Sequence, residues 1–186
     1  MKIKDKIKKE KLQNYISLLK KYKQNVNIIG TTDRTELKSI IEDSIITIEG
    51  QKKVLDIGTG AGIPGVLIKL SNPKISISFL DKSRKKMNIL RHILYSLNIQ
   101  YDNLFIGKAG KYADTFSSTF DIILSRGMGD VKYVLKKAKP FLKKNGTIYL
   151  WKPSNYSTNE IDKKKYEIKN ITSFKKKECK IVKLDF

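Results

Sequence analysis

Cysteine occurs once in this sequence, at Cys179, and histidine once, at His92. A single thiol excludes a disulfide framework, and one cysteine with one histidine leaves no cluster for zinc, so no metal is expected. No apolar run approaches the ~20 residues that cross a bilayer. Residues 1–11 are charged and lack the apolar centre of a signal peptide, so a cytoplasmic protein without a membrane partner is expected. Arginine is scarce as well, with four residues against 35 lysines. Where lysine is the default cation, an arginine marks a place where a planar fork does what an ammonium cannot. Acid is in deficit: 18 Asp and Glu face 39 Lys and Arg, for a formal net charge of +21. Such a field draws phosphate backbones. A lysine-rich, isoleucine-rich and asparagine-rich composition also arises from AT-rich codon usage.

What is present is a globular composition, 40% hydrophobic, over 186 residues. That is room for one domain with one core, expected as a monomer. Residues 1–50 read as a helical N-terminal cap. Leu12, Tyr15, Ile16, Leu19 and Tyr22 repeat at three and four, and so do Leu37, Ile40, Ile41, Ser44, Ile45 and Ile48. Gly30-Thr31-Thr32-Asp33 separates these two helices, and Gly50 closes the cap.

Residues 51–186 change pattern. Runs at 54–57, 75–80, 104–106, 120–124 and 147–151 read as strands. Between them lie helices at 66–70, at 82–98 with Met87, Leu90, Ile93, Leu94 and Leu97 on one face, and around Val131, Val134, Leu135 and Ala138. Two further strand candidates, 166–171 and 180–184, form a basic C-terminal hairpin with lysines at 163–165 and 175–177. Alternating strands and helices predict an α/β fold, a mostly parallel sheet with helices on both faces. Ligands of such sheets bind beyond the carboxyl ends of the strands.

The stretch from Val54 to Gly62, Val-Leu-Asp-Ile-Gly-Thr-Gly-Ala-Gly, is the most informative. Gly58, Gly60 and Gly62 let backbone approach a ligand and permit positive φ. Pro64 stands at the expected first position of the following helix, whose dipole faces the site. Asp56 precedes the first glycine, where it can meet an ammonium. Asp81 ends the next strand, where a carboxylate accepts from ribose hydroxyls. Gly60-Ala61-Gly62-Ile63-Pro64-Gly65 also satisfies the dinucleotide G-x-G-x-x-G pattern, which keeps a nicotinamide cofactor in play. Against it stand Asp56, the additional Gly58, and the mere ~35 residues after Trp151, too few for a separate substrate domain.

These residues resemble the bacterial 16S rRNA guanine-N7 methyltransferases, the RsmG or GidB family, over about residues 15–152. The stretch 56–65 is similar to the family's D-x-G-T-G-x-G-x-P-G. Phe79-Leu80-Asp81-Lys82-Ser83 with Lys85, Lys86 and Leu90 resembles L-L-D-S-x-x-K-R-x-x-F-L, and Ser125-Arg126-Gly127 resembles S-R-A. Glu42-Asp43-Ser44 resembles L-D-S, the segment 22–28 with Asn27 resembles W-N-x-x-x-N-L-T, and Gly107-Lys108-Ala109-Gly110 resembles G-R-A-E. The resemblance implies a Rossmann-like fold that binds S-adenosylmethionine at Gly58, Ile63, Ala109, Gly110 and Arg126, with Asp81 on the ribose. It implies a guanine of 16S rRNA in the small ribosomal subunit as acceptor. The chain departs from the family at Ser39 and Ile40, where Arg-His is usual. It departs also at Gly110 in place of glutamate, at Lys152-Pro153 in place of Lys-Gly, and among Lys175, Lys176 and Lys177, where an arginine is usual.

Guanine N7 carries a lone pair and no proton, so direct in-line attack on a methyl group needs neither a general base nor an enzyme nucleophile. Catalysis is then expected from proximity and orientation, with Arg126 orienting cofactor or guanine. The Asn-Pro-Pro-aromatic motif of exocyclic amine methylation is absent, and Ser125-Arg126-Gly127-Met128 stands in its place. His92 reads as surface or helix packing, Cys179 as structural, and Trp151 as packing at a strand end. Lys108, Lys152, Lys85 and Lys86 are the expected RNA contacts. The rival readings are a methyltransferase of the same fold with another RNA or a small molecule, and a basic RNA-binding module without turnover.

Overall fold

The computed structural model describes residues 9–24, 26–28, 33–157, 161, 167–172 and 179–186. The lysines at 163–165 and 175–177 and the expected turn at Gly30-Thr31-Thr32 lie outside these. The cap holds α1 (Lys9–Lys23) and α2 (Arg34–Ser44). The core runs β1 (Lys53–Ile57), α3 (Gly65–Ser71), β2 (Ser76–Asp81), α4 (Arg84–Ser96), β3 (Asn103–Ile106), β4 (Phe120–Arg126), α5 (Val131–Ala138), β5 (Leu142–Pro153), β6 (Glu167–Thr172) and β7 (Cys179–Asp185). Short 3-10 turns cover Ala109–Lys111 and Lys139–Phe141.

Among the described residues one sheet carries seven strands, in the order β3-β2-β1-β4-β5-β7-β6. The first five pair in parallel, and the order reverses between β1 and β4, as expected of a doubly wound Rossmann-like sheet. The tail closes the edge antiparallel: β7 lies against β5, and β6 lies outside β7. The hairpin therefore docks by its second strand.

Alternation along the strands divides the core. Val54, Ile77, Phe79, Ile122 and Leu124 face one layer, with Tyr15, Leu19, Leu37, Ile41, Leu67, Met87, Leu90 and Ile93 from α1 to α4. Leu55, Ile57, Leu80, Ile123, Ile148 and Leu150 face the other, with Val131, Val134 and Ala138 of α5. Among the described residues helices cover both faces, α1 to α4 on one and α5 with the 3-10 turns on the other. The cap thus packs onto the same layer as α3 and α4, above the first turn of the sheet.

The periodic pattern predicts the second cap helix through Ile48, but α2 ends at Ser44 and Ile45 is extended (φ −88°, ψ 119°). Ile45-Ile46-Thr47-Ile48 is a β-branched run, which favours extended backbone. Extension buries Ile46 and Ile48, and Asn72 donates to the carbonyls of Ile48 and Gly50. At the other end of α2, Asp33 caps the amides of Thr35 and Glu36 at 2.9 and 2.8 Å.

Candidate active site at the carboxyl edge of the sheet

Between β1 and α3 the chain turns sharply, with Gly58, Gly60 and Gly62 at φ +74°, +56° and +91°. The amides of Gly58 and Thr59 donate to the Leu80 carbonyl at 2.7 and 3.1 Å, which ties the bend to β2. Pro64 stands one residue before the helix, at its N-cap, not at its first position. Gly65 is required by close packing: a Cβ there would lie 2.6 Å from Asp56 Oδ2 and 2.7 Å from Phe79. At Gly60 the reverse holds. A Cβ there would approach only the Ile28 carbonyl, at 3.7 Å, so the bend has an open side.

Asp56 is fully buried beneath the bend. Its Oδ2 accepts from the Thr59 hydroxyl at 2.7 Å and the Gly65 amide at 3.0 Å. Its Oδ1 is buried without a hydrogen bond among the described residues. Desolvation raises its pKa to about 7, against the lowering effect of those two bonds. The sequence places Asp56 where it can meet an ammonium; in the structure its bonds go to the bend. The carboxyl group is closed off from solvent, and what it braces is the bend itself. Tyr15 of α1 donates to the Ala61 carbonyl at 3.0 Å from the cap side, and burial pushes its phenol pKa up.

Asp81, at the end of β2, joins the two strand-end turns. Its Oδ2 accepts from the Gly60 amide at 3.0 Å and its Oδ1 from the Ser83 amide at 2.8 Å. Each oxygen keeps a further lone pair for hydroxyl donors. Beyond it, the Gly107 amide donates to the Asp81 carbonyl at 3.0 Å. Ala109 is buried there, while Gly110 is exposed with open space where a Cβ would stand.

Arg126, at the end of β4, turns to the cap. Its Nη1 donates to the Ile40 carbonyl at 3.0 Å and to the Ser44 hydroxyl. Beside it on β5, the Trp151 indole donates to the Asp43 carbonyl at 2.8 Å. Two strand ends thus bond to the C-terminal part of α2: Trp151 takes the Asp43 carbonyl of its last turn, and Arg126 shares the Ile40 carbonyl with the Ser44 hydroxyl, which donates to it from within the helix. Burial lowers the Arg126 pKa, partly offset by Cys179 and Asp43. In the sequence, Arg126 is expected to orient the cofactor or the guanine. In the structure its bonds secure the cap to the sheet.

The turn after β4 also uses left-handed glycines, Gly127 at φ +68° and Gly129 at φ +101°. Between them Met128 lies over Gly58, with its sulfur 3.0 Å from where a Cβ at Gly58 would be. Lys152 is 7% exposed, and its ammonium donates to the Gly129 carbonyl and lies 5.5 Å above the Tyr156 ring. Desolvation lowers its pKa. This corrects the expectation of a phosphate-facing lysine, because its charge is spent on bracing the turn.

The structure therefore gathers Asp56, Gly58, Gly60, Gly62, Asp81 and Ala109 around one bend, with Ile63 buried in the core behind it. Lys108 and Lys85 are exposed near it, and Lys86 is half-buried. Trp151 packs as expected, and His92 is exposed. The sequence gives no site role to Tyr15, Thr59, Ser44 or Met128. Tyr15 leaves one trace, a hydroxyl on an otherwise apolar stripe, which needs a partner once buried. Met128 leaves none. No group of three or more potential metal-binding side chains occurs among the described residues. The described helices include none long and apolar enough to cross a membrane. A separate hollow of about 400 Å³, lined by residues 45–50, Ser71, Asn72 and Lys74, lies at the opposite end, where β1 and β2 begin.

Solved structures with this arrangement include a precorrin-6y C5,15-methyltransferase from Geobacter metallireducens. It has a TM-score of 0.59 and 15% identity over 86% of this chain and 91% of that one. A methyltransferase from Geobacter sulfurreducens has a TM-score of 0.60 and 13% identity over 93% and 87%. At these identities the likeness is one of fold. Sequence relatives reach further. The protein named ribosomal RNA small subunit methyltransferase G from Petrotoga mobilis is 32% identical over 90% of this chain and 78% of its own length. Those of Mycoplasma capricolum and Moorella thermoacetica are 31% and 30% identical, and this chain spans 64% and 62% of their lengths. The family model of GidB, rRNA small subunit methyltransferase G, matches residues 8–184, which include the bend, both acids, Arg126 and both cap helices. With the family model matched over residues 8–184 and a named relative 32% identical over 90% of this chain, the chain belongs to the rRNA small subunit methyltransferase G family.

Proposed function

We propose that the protein transfers a methyl group from S-adenosylmethionine to N7 of a guanine in 16S rRNA of the small ribosomal subunit. The observation that carries this reading is Asp81, which joins the open-sided Gly60 turn to the start of α4 with acceptor capacity left over. The residues fit the cofactor. Asp81 suits ribose hydroxyls. Ala109 and the backbone of Gly110 suit an adenine, with backbone groups doing the work of the family's usual glutamate. Asp56 places an anionic charge, when ionised, under a bend that would receive a cationic amino acid moiety. Ile63 keeps the bend seated in the core.

The cofactor supplies an electrophilic methyl on sulfur. Guanine N7 needs no proton removed before it accepts that methyl, so the protein's part is placement. Asp56, Tyr15 and Thr59 hold the bend, Lys152 holds the turn after β4, and Met128 forms an apolar wall against Gly58. Arg126 acts as a positioning residue that fixes α2 beside the strand ends. Lys108, Lys85 and Lys86 stand where phosphates of an RNA segment would pass. Such a segment must present its guanine in a loop or single strand, since the A-form major groove admits no side chains. We place the whole chain in one domain, with residues 1–50 as its cap.

The test is transfer of labelled methyl to small subunits from a strain lacking the modification, with N7-methylguanine located by reductive strand cleavage. Calorimetry with S-adenosylhomocysteine and with NAD accompanies it. Incorporation at a guanine with tight S-adenosylhomocysteine binding is expected, and Asp81→Ala should weaken that binding at least tenfold. Cofactor binding without incorporation would favour the RNA-binding module, and NAD binding alone would end the methyltransferase reading.

A further inference from the structure

The outer face of α4 is a stripe. Arg84, Asn88, Arg91 and Tyr95 fall at spacings of four, three and four, so they stack along one line of the helix over about 16 Å. All four are exposed, and His92 and Lys85 flank them, exposed too. Met87, Leu90, Ile93 and Leu94 occupy the buried side, so the stripe lies on the solvent side of the helix.

Three features of this face exceed what a solvated helix needs. The helix has no acid in its first turn, and its sequence, Arg-Lys-Lys-Met-Asn-Ile-Leu-Arg-His-Ile-Leu-Tyr-Ser, has none anywhere. Its cations crowd the N-terminal end, where the helix dipole opposes positive charge. Two of the chain's four arginines stand on it, in a composition with 35 lysines. And Tyr95 is 88% exposed, more than Tyr101 at 37% or Tyr133 at 49%. A guanidinium and a phenol both offer flat faces to unpaired bases, and arginine also forks onto phosphate.

We infer that this α4 face is an RNA-binding surface, which takes a single-stranded stretch flanking the target nucleotide. Arg84 and Arg91 grip its backbone, and Tyr95 stacks one of its bases. The inference rests on the proposed RNA substrate and adds where the RNA runs. The stripe begins just beyond the Asp81–Ser83 hydrogen bond and leads away from the bend along the helix. Positive charge alone does not select this face, since α5 on the opposite layer also carries exposed lysines. The paired arginines and the exposed tyrosine do.

The experiment uses the full chain, a labelled mixed-sequence single-stranded RNA, and the undermethylated small subunits. Arg84→Ala/Arg91→Ala should weaken RNA binding about tenfold or more and lower the salt slope by roughly 1.4, about 0.7 for each phosphate no longer neutralised. Tyr95→Leu should weaken binding about tenfold with the salt slope unchanged, and Tyr95→Trp should restore it, because stacking is worth about that much per base. Lys132→Ala/Lys136→Ala on α5 is the charge-matched control and should bind within about twofold of the parent. S-adenosylhomocysteine affinity should stay constant throughout. If the Tyr95 and arginine variants bind RNA like the parent, or the α5 control weakens binding as much as the arginine pair, the surface is not this one. If the parent binds RNA through this face but methylates no subunit, the face stands and the proposed reaction falls.

Discussion

The turn after β1 and the turn after β4 leave the same edge of the sheet, and both depend on glycines with positive φ. In the first, glycine is demanded twice over. A Cβ at Gly62 would collide with Val66 and lie 2.8 Å from Leu90, both fully buried, and its φ is left-handed as well. In the second, Gly127 is exposed and a Cβ there meets nothing within 4 Å. The amides of the first turn are held by Leu80 and Asp81, whereas a carbonyl of the second is held by one lysine ammonium. The first turn is thus part of the core, and the second is a surface turn laid against it through Met128. A cofactor cradle gains from the first kind of construction, because preorganised groups need no ordering when the ligand arrives.

The strongest way to break this contrast is Gly62→Ala. Overpacking a closed core and forcing a left-handed Cβ together cost about 3 kcal/mol or more, read as a fall in urea midpoint. Next is Arg126→Ala, which removes the guanidinium joining α2 to β4 and leaves the Ser44 hydroxyl and the Ile40 carbonyl bonded only to each other. Stability should fall by about 2–3 kcal/mol, and proteolysis should then cut the cap before the sheet. If cofactor affinity collapses while stability and cap protection hold, Arg126 is a ligand contact and not a joint.

Asp56 sharpens the contrast through pH. Its folded pKa, about 7, lies above the ordinary 3.8. As pH rises the unfolded chain releases this proton first, so the group's contribution to stability falls between about 4 and 7 and levels off above. Asp56→Asn keeps one oxygen for Thr59 and Gly65 and removes the titration. The variant should therefore gain on the parent across that window, by on the order of 4 kcal/mol at pH 8. The parent's affinity for the cationic cofactor should rise through pH 7, and the variant's should stay flat. Thermal melts and calorimetry over pH 5–8 read both, and parallel curves for the two proteins would mean that Asp56 does not titrate there. The smallest effect belongs to Gly127→Ala, about 1 kcal/mol for the left-handed backbone alone. A destabilisation equal to that of Gly62→Ala would erase the distinction between the turns.

The strands and α1, α4 and α5 were legible because their apolar periods are local and uninterrupted. The glycine bend and its two acids were legible because residue type and spacing meet in one short stretch. The end of α2 was not. Its helical period continues through Ile48, but Ile46 and Ile48 are buried in extended backbone, and Trp151 takes the Asp43 carbonyl while Arg126 bonds the Ser44 hydroxyl where the helix ends. Lys152 reads as one more surface cation until β7 and the turn after β4 close around it.

The order of polar and apolar residues along the chain by itself determined an alternating α/β sheet with a glycine turn between two carboxylates, since each of those features is written within a few neighbouring positions. Only the folded molecule decided what the polar side chains do. Asp56 lies sealed under the bend, Arg126 reaches 86 positions back to the Ile40 carbonyl, and Tyr15 reaches 46 forward to that of Ala61. The partners of such groups are set by burial and by contacts between distant segments, and a single side chain in a sequence carries no record of either.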